Sequence, residues 1–361
     1  MGTITAVELL AKLDDGEKVV VLDVREPDEF ESWSIPGSLN APLGSLARRL
    51  GELAAGDDVV TVCAVGTRAA SATTVLAGAG IESRVLQGGM DAWSRVYDDA
   101  VLVVGGATIV QVRRRGKGCL SYLVGAGGAA AVIDPSSDVD EYVARARARG
   151  WRLTHVFDTH LHADHVSGAR ELAETTGATL VLNPADRFGF EFSALRDGMR
   201  VPIADGVDLT VSVLSTPGHT KGSTVFLLGG AAAFTGDTLF VESVGRPDLA
   251  DEAEAFAHAL YRSLHDKLLN LPDTAWVLPA HFSSVVEVDR GIVGATLGEL
   301  KSSLWQLSAT EDAFVSWAVG SVAARPPNYV TIVAANLSGS TLPLEERSSL
   351  EAGPNRCAVA G

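Results

Sequence analysis

The stretch Thr159-His160-Leu161-His162-Ala163-Asp164-His165 constrains this chain most, because it sets four metal-ligating side chains within six residues. An apolar run from Leu153 to Phe157 precedes it, and a helical pattern from Val166 to Thr176 follows, so the donors fall at a strand end. A metal ion needs several N or O donors converging on one point, and a single turn at a strand end supplies half a coordination shell. Three further potential ligands recur in the same context. They are His219 in Thr216-Pro217-Gly218-His219-Thr220, Asp237 in Phe234-Thr235-Gly236-Asp237-Thr238, and His281 in Leu278-Pro279-Ala280-His281. Packing alone does not set seven such residues just past apolar strands. His155, His258 and His265 lack such neighbours and read as ordinary core or surface residues.

The rest of the pattern is α/β. Val19 to Leu22 and Val59 to Val62 read as strands and Arg68 to Gly80 as a small-residue helix closed by glycine, which predicts a parallel sheet in the first hundred residues. Past Tyr97-Asp98-Asp99 the strands lengthen: 120–124, 130–133, 153–157, 179–182, 209–214, 224–228 and 275–278. With 361 residues the chain exceeds one hydrophobic core. We expect domains at 1–100 and 101–320, and a C-terminal tail, 321–361, packed on the second. Arg113-Arg114-Arg115 reads as a solvated turn. The 29 Lys and Arg against 45 Asp and Glu leave a net charge of −16, a field that repels nucleic acid and anionic lipid alike. Cys63, Cys119 and Cys357 make an odd, scattered set, which is no disulfide framework and fits a reducing compartment. Lys12 and two acids stand where a secretion signal would be apolar, and no stretch is long and apolar enough to span a bilayer. A soluble cytoplasmic protein is expected.

Cys63 opens the loop Cys63-Ala64-Val65-Gly66-Thr67-Arg68 between a strand and a helix. There the unpaired N–H groups of the helix N-terminus stabilise a thiolate or a bound anion. Gly66 lets the loop curl into a nest, and Arg68 adds a fixed cation. These residues resemble the rhodanese domains, as do Asp23-Val24-Arg25, Glu29-Phe30, Ile35-Pro36-Gly37-Ser38, Asn40-Ala41-Pro42 and Leu86-Gln87-Gly88-Gly89 with Trp93. The resemblance covers residues 1 to about 97. It implies that Cys63 carries a sulfane sulfur as a persulfide while Ala64, Val65, Gly66, Thr67 and Arg68 hold an anionic donor. Trp33-Ser34 departs from the family's Gly-His, which bears on the domain's surface and not on the loop.

Over about 101–320 the donor constellation resembles the metallo-β-lactamase fold superfamily, which implies an αββα sandwich. In its two-zinc members the matching positions would put His160, His162 and His219 on one ion and Asp164, His165 and His281 on the other, with Asp237 bridging. In its persulfide dioxygenase branch, His160, His219 and Asp237 would hold one Fe(II). Phe234-Thr235-Gly236-Asp237-Thr238-Leu239-Phe240 with Val244-Gly245-Arg246-Pro247-Asp248-Leu249 is similar to that branch. His162, Asp164, His165 and His281 would then orient ligands and shuttle protons, and Arg246 would hold the carrier thiol's anionic group. Where glutathione-using members carry a tyrosine two residues past the last histidine, this chain has Ser283, which removes one expected glutathione contact.

The resemblances together imply an α/β enzyme that oxidises a low-molecular-weight thiol persulfide with O2 to sulfite and free thiol, coupled to thiosulfate sulfurtransfer at Cys63. The alternatives are a two-zinc thioester hydrolase of the glyoxalase II kind, with one or two Zn, and a sulfur-carrier or sensor module without catalysis. The partners implied are the thiol persulfide, O2 and thiosulfate or sulfite, without nucleic acid or membrane; a homo-oligomer is allowed. Cys119 is assigned to packing, and Cys357 is left open with the tail.

Overall fold

The computed structural model of the chain describes residues 2–53, 56–203, 210–248, 252–282, 291–321, 325, 328–353 and 357–359. Residue 209, Leu249 and Ser283 lie outside the described residues, as do Ala324, Pro326 and Pro327 of the tail. Two compact units emerge: Met1–Asp98 with Arg114–Gly118 and Ala352–Pro354, and Asp99–Arg113 with Cys119–Glu351 and Asn355–Gly361.

The smaller unit is built on strands β1 (Gly2–Ile4), β2 (Val19–Asp23), β3 (Leu39–Asn40), β4 (Asp58–Val62) and β5 (Ser83–Leu86), in the spatial order β1-β5-β4-β2-β3. All four pairings are parallel. A parallel sheet is covered on both faces, so its strands read as unbroken apolar runs. In β4, Val60 and Val62 enter one core cluster and Val59 the other. Cys63 follows directly, at the C-terminal edge where such sheets bind ligands. Trp33, at the departure from the rhodanese pattern, is half-buried and donates its indole N–H to the Gly116 carbonyl at 3.0 Å.

The larger unit holds two sheets. One comprises β6 (Tyr97–Val104), β7 (Ala107–Arg114), β8 (Cys119–Ala126), β9 (Ala129–Ile133), β10 (Arg152–Phe157), β11 (Thr179–Leu182) and β12 (Ser193–Ala194), in the order β12-β11-β10-β9-β8-β7-β6. The other runs in sequence order through β13 (Arg200–Pro202), β14 (Thr210–Ser215), β15 (Thr224–Leu228), β16 (Ala232–Gly236), β17 (Trp276–Pro279) and β18 (Ala295–Thr296). Alternation assigns the faces. Phe226, Phe234 and Leu278 meet Tyr122, Ile133 and Phe157 of the first sheet in one core, while Val225, Ala233 and Val277 point the other way, to Leu260, Leu300 and Phe314 of the covering helices. Helix Ala169–Thr176 packs on β10 and β11. This is the expected sandwich.

The basic run departs from its expectation. Arg113 and Arg114 are buried at the end of β7. Arg113 Nη1 donates to the Gly291 carbonyl at 2.5 Å and Arg114 Nε to the Ser94 carbonyl at 2.6 Å, while Arg115 pairs with Asp14 at 2.9 Å and Asp98 at 2.7 Å. Each guanidinium finds acceptors, which is the condition for burying it. No helix among the described residues is long and apolar enough to cross a membrane.

Candidate metal centre and thiol loop

All seven sequence-picked donors lie in the larger unit, past β10 (His160, His162, Asp164, His165), β14 (His219), β16 (Asp237) and β17 (His281), and all are buried. They do not form one undivided cluster. His160, His219 and Asp237 have ligand atoms within 4.8 Å of one another. Nε2 of both rings lies 3.4 Å from Asp237 Oδ2. None of these three atoms has a hydrogen-bond partner among the described residues. Three orphaned, buried polar atoms facing one point fit a cation.

The opposite ring atoms explain the orientation. Thr159 Oγ1 lies 3.0 and 2.9 Å from the Asp134 carboxylate oxygens, which accept its single proton, and 2.8 Å from His160 Nδ1. The hydroxyl therefore accepts from Nδ1–H, and the His160 lone pair sits on Nε2. His219 Nδ1 donates to the Arg246 carbonyl at 3.0 Å with the same result. Burial pushes the His219 imidazole down to about 4, which keeps it neutral. Burial alone would raise Asp237, but His281 and His160 beside it carry its carboxyl well below the usual carboxylate range.

His162, whose ring centroid lies 4.2 Å from that of His160, turns to a different pair of carboxylates. Its Nε2 is 3.3 Å from Asp134 Oδ1 and 3.7 Å from Asp158 Oδ1, and these two carboxylates, against the effect of burial, hold the imidazole well above its ordinary range. Asp134 sits at φ 53°, a conformation that non-glycine residues seldom adopt and that clusters at functional sites. Neither Asp134 nor Asp158 was picked from the sequence. The available signal was a carboxylate following each of the apolar runs 130–133 and 153–157.

Asp164, His165 and His281 gather on the other side with a residue assigned to packing. Cys119 Sγ is 3.7 Å from Asp164 Oδ2, and the four residues offer ligand atoms all within 4.8 Å. Burial and the charge of Asp164 push the Cys119 thiol up; His165 and His281 outweigh them and bring it to about 7. Cys119, expected to serve packing, is buried and also lies among these donor atoms. Cys357, carried in from the tail, lies with Asp237 and His281 in a further set of three, and burial drives its thiol well above the ordinary range.

The tail also holds the histidine loop. Asn336, on helix Tyr329–Ser338, donates through Nδ2 to the carbonyls of His162 and His165, each at 2.9 Å, and accepts from Ser167 N–H at 2.9 Å. Glu351 accepts from Val166 N–H at 2.8 Å. The helix expected from Val166 starts at Ala169. Arg246 departs from the role expected of it. Its side chain is 1% exposed, its fork lies on Asp248 at 2.7 and 2.9 Å, and its backbone positions His219.

In the smaller unit, Cys63 Sγ accepts from the N–H groups of Gly66 at 3.2 Å and Ala69 at 3.4 Å. Gly66, at φ 104°, caps helix Thr67–Gly78 and turns the loop inward. Val65 is exposed, and Ala64 and Thr67 complete the rim. Arg68 Nη1 and Nη2 pair with the Glu29 carboxylate at 2.6 and 2.8 Å, which lowers Glu29 to about 2. The loop can hold a thiolate on backbone amides with a cation alongside.

Comparison with known proteins agrees with this geometry at the level of family. A metallo-beta-lactamase superfamily model matches residues 114–281, and a rhodanese-like domain model matches residues 5–96. A hydroxyacylglutathione hydrolase of Methylococcus capsulatus is 39% identical over 43% of this chain and 57% of its own length, so the chain spans little more than half of that relative. A protein of the same name from Anaeromyxobacter dehalogenans is 35% identical over 53% of this chain and 75% of its own. The crystal structure of ETHE1 from Myxococcus xanthus superposes with a TM-score of 0.58 at 31% identity, covering 64% of this chain and 99% of that one.

Proposed function

The chain belongs to the metallo-beta-lactamase superfamily and carries a rhodanese-like domain ahead of that fold; from this premise we propose that it oxidises a low-molecular-weight thiol persulfide with O2. One persulfide, one O2 and one water give sulfite, the free thiol and two protons. The thiol loop moves sulfane sulfur between the persulfide pool and thiosulfate or sulfite. The observation that carries the reading is the partition of the donors. Two histidines and one carboxylate, His160, His219 and Asp237, converge as a set of three, while His162, which the two-zinc arrangement needs on the same ion, faces Asp134 and Asp158. Two His and one carboxylate are the donor set of non-haem Fe(II) sites that leave positions open. Iron bound there supplies redox chemistry with O2 that zinc lacks.

The chain's own groups do the rest. Thr159 and the Arg246 carbonyl fix the ring tautomers, and burial keeps bulk water from the sulfur. His162 with Asp134 and Asp158, and His281 with Asp237, are paired proton holders beside the site. At the loop, the N–H groups of Gly66 and Ala69 stabilise the thiolate of Cys63 that accepts the transferred sulfur. A two-zinc thioester hydrolase is the rival, supported by the names of the curated relatives and by the presence of all seven donors. Anaerobically prepared, iron-loaded protein should consume O2 with a small-molecule persulfide, Asp237→Ala should abolish this, and Cys63→Ser should spare it. Oxygen uptake that survives Asp237→Ala, or a zinc-loaded protein that cleaves thioesters without O2 and leaves persulfide untouched, would refute the proposal.

A further inference from the structure

Asp186 lies in the loop after β11, at the end of a short helical turn, Pro184–Asp186. Asn183 anchors that turn on both sides: its Oδ1 accepts from Ala185 N–H at 3.0 Å, and its Nδ2 donates to Thr224 Oγ1 at 3.0 Å. Arg187 closes the turn at φ 61°, a left-handed conformation that a non-glycine residue adopts at a cost. The Asp186 carboxylate then meets two loops at once. Its Oδ2 accepts from Leu161 N–H at 3.1 Å and from Thr220 Oγ1 at 3.2 Å, and its Oδ1 accepts from Gly222 N–H at 2.7 Å. Leu161 directly follows His160 on the loop after β10, and Thr220 directly follows His219 on the loop after β14. The two histidines of the open set therefore come from different sheets, and one carboxylate from a third loop joins the segments that carry them. Their rings meet edge to face with centroids 5.0 Å apart.

We propose that Asp186 is a positioning residue of the metal centre, whose carboxylate sets the spacing between His160 and His219. The inference rests on the reading of His160, His219 and Asp237 as the metal-holding set. Thr159 and the Arg246 carbonyl fix how each ring is turned, but neither joins one ligand loop to the other at the ligands themselves. The backbone bond from Thr224 N–H to the Thr159 carbonyl at 2.8 Å does join the loops, before His160 and well past His219. The Asp186 contacts fall immediately beside both. Their number decides the residue type. A carboxylate offers two acceptor oxygens, whereas an amide offers one; whichever way an asparagine turned here, its NH2 would face the backbone N–H of Leu161 or of Gly222 and push that loop away. The approach is also close. A Cβ at Gly222 would meet the Asp186 carboxylate at 2.4 Å, so a side chain there displaces the carboxylate. Ligands whose spacing is held by supporting hydrogen bonds bind a metal more tightly and in one geometry.

The test uses Co(II) as the probe on the full-length chain stripped with a chelator. Chelator competition reads affinity, and the visible ligand-field bands read the geometry around the ion. His219→Ala marks the bands of the open set by removing them. Asp186→Asn should weaken binding at that set about 10–100-fold and change the shape of its bands. Gly222→Ala, which displaces the carboxylate without replacing it, should move affinity and bands in the same direction. Far-ultraviolet circular dichroism checks folding, and Gly222→Ala keeps the test decisive if Asp186→Asn does not fold. Phe314→Leu, in the core beneath the covering helices, should lower the urea midpoint while affinity stays within about twofold of wild type and the bands keep their shape. Wild-type affinity or unchanged bands in a folded Asp186→Asn or in Gly222→Ala, or equal losses in Phe314→Leu, would overturn the role of Asp186 and leave the metal-holding set standing. Bands that persist in His219→Ala would overturn both.

Discussion

The tail's hold on the histidine loop gives the sharpest test of how this metal centre is assembled. Asn336→Leu keeps the side-chain volume close and removes all three hydrogen bonds, two to the carbonyls of His162 and His165 and one from Ser167 N–H. Asn336 is 7% exposed, so water does not readily replace them. A net loss near 1 kcal/mol per bond, with a further penalty for groups left buried and unpaired, gives on the order of 3–5 kcal/mol. That cost falls on the loop carrying His160 to His165. Metal binding reorders part of the loop, so the expected fall in metal affinity is smaller, about 10–100-fold. Asn336→Asp serves as the partner variant, since it still accepts from Ser167 but turns a carboxylate oxygen toward two carbonyls. Chelator competition reads the affinity, and the urea midpoint reads stability. If the midpoint falls in Asn336→Leu while metal affinity stays within about twofold of wild type, Asn336 is only a packing residue and the reasoning fails.

Three further outcomes follow from particular contacts. Gly89 has φ +57°, and a Cβ there would meet the Cys63 carbonyl oxygen at 2.1 Å, so Gly89→Ala should cost at least about 2 kcal/mol and cut thiosulfate sulfurtransfer at least tenfold with O2 uptake intact; unchanged sulfurtransfer would count against the loop geometry. The Arg68 fork lowers Glu29 from 4.5 to about 2, so the pair's contribution is complete above about pH 4.5 and is lost as pH falls through about 2; carbon NMR should find the Glu29 titration near 2, and a midpoint near 4.5 would mean that the fork lies elsewhere in solution. Thr159→Val removes the acceptor that fixes His160 Nδ1–H, and metal affinity should fall about tenfold; an unaltered affinity by chelator competition would show that the tautomer is set by something else.

What the sequence made legible was periodic. β14 to β17 alternate between two buried faces, so the apolar runs and the polar residue that ends each run could be read without knowing how the strands pair. The same kind of reading set Cys63, His160, His219, Asp237 and His281 just past strands, which is where they lie. Arg113 and Arg114 failed because charge is a poor guide where long stems reach acceptors far away in the chain; the partner of Arg113 is 178 residues distant. Asp134 and Asp158 were overlooked because nothing local distinguishes a carboxylate that orients a ligand from one that caps a strand.

Cys119 shows why a donor count and a donor partition are different kinds of knowledge. Its neighbours Asp164, His165 and His281 arrive from two other loops, and only the antiparallel contact of the β8 start with the residues after β17 brings the thiol among them. Residue types therefore restrict the chemistry to a metal centre with seven candidate ligands, whereas the hydrogen bonds on the far ring atoms decide which lone pairs face which point. Asp134 acts on His160 through Thr159 and lies beside His162 directly; Asp237 orients His281 while its other oxygen faces His160 and His219. Asp134 serves two histidines and Asp237 three, so replacing either should alter both the open set and its neighbour together. The partition of the centre is a property of this shared network and not of any single ligand.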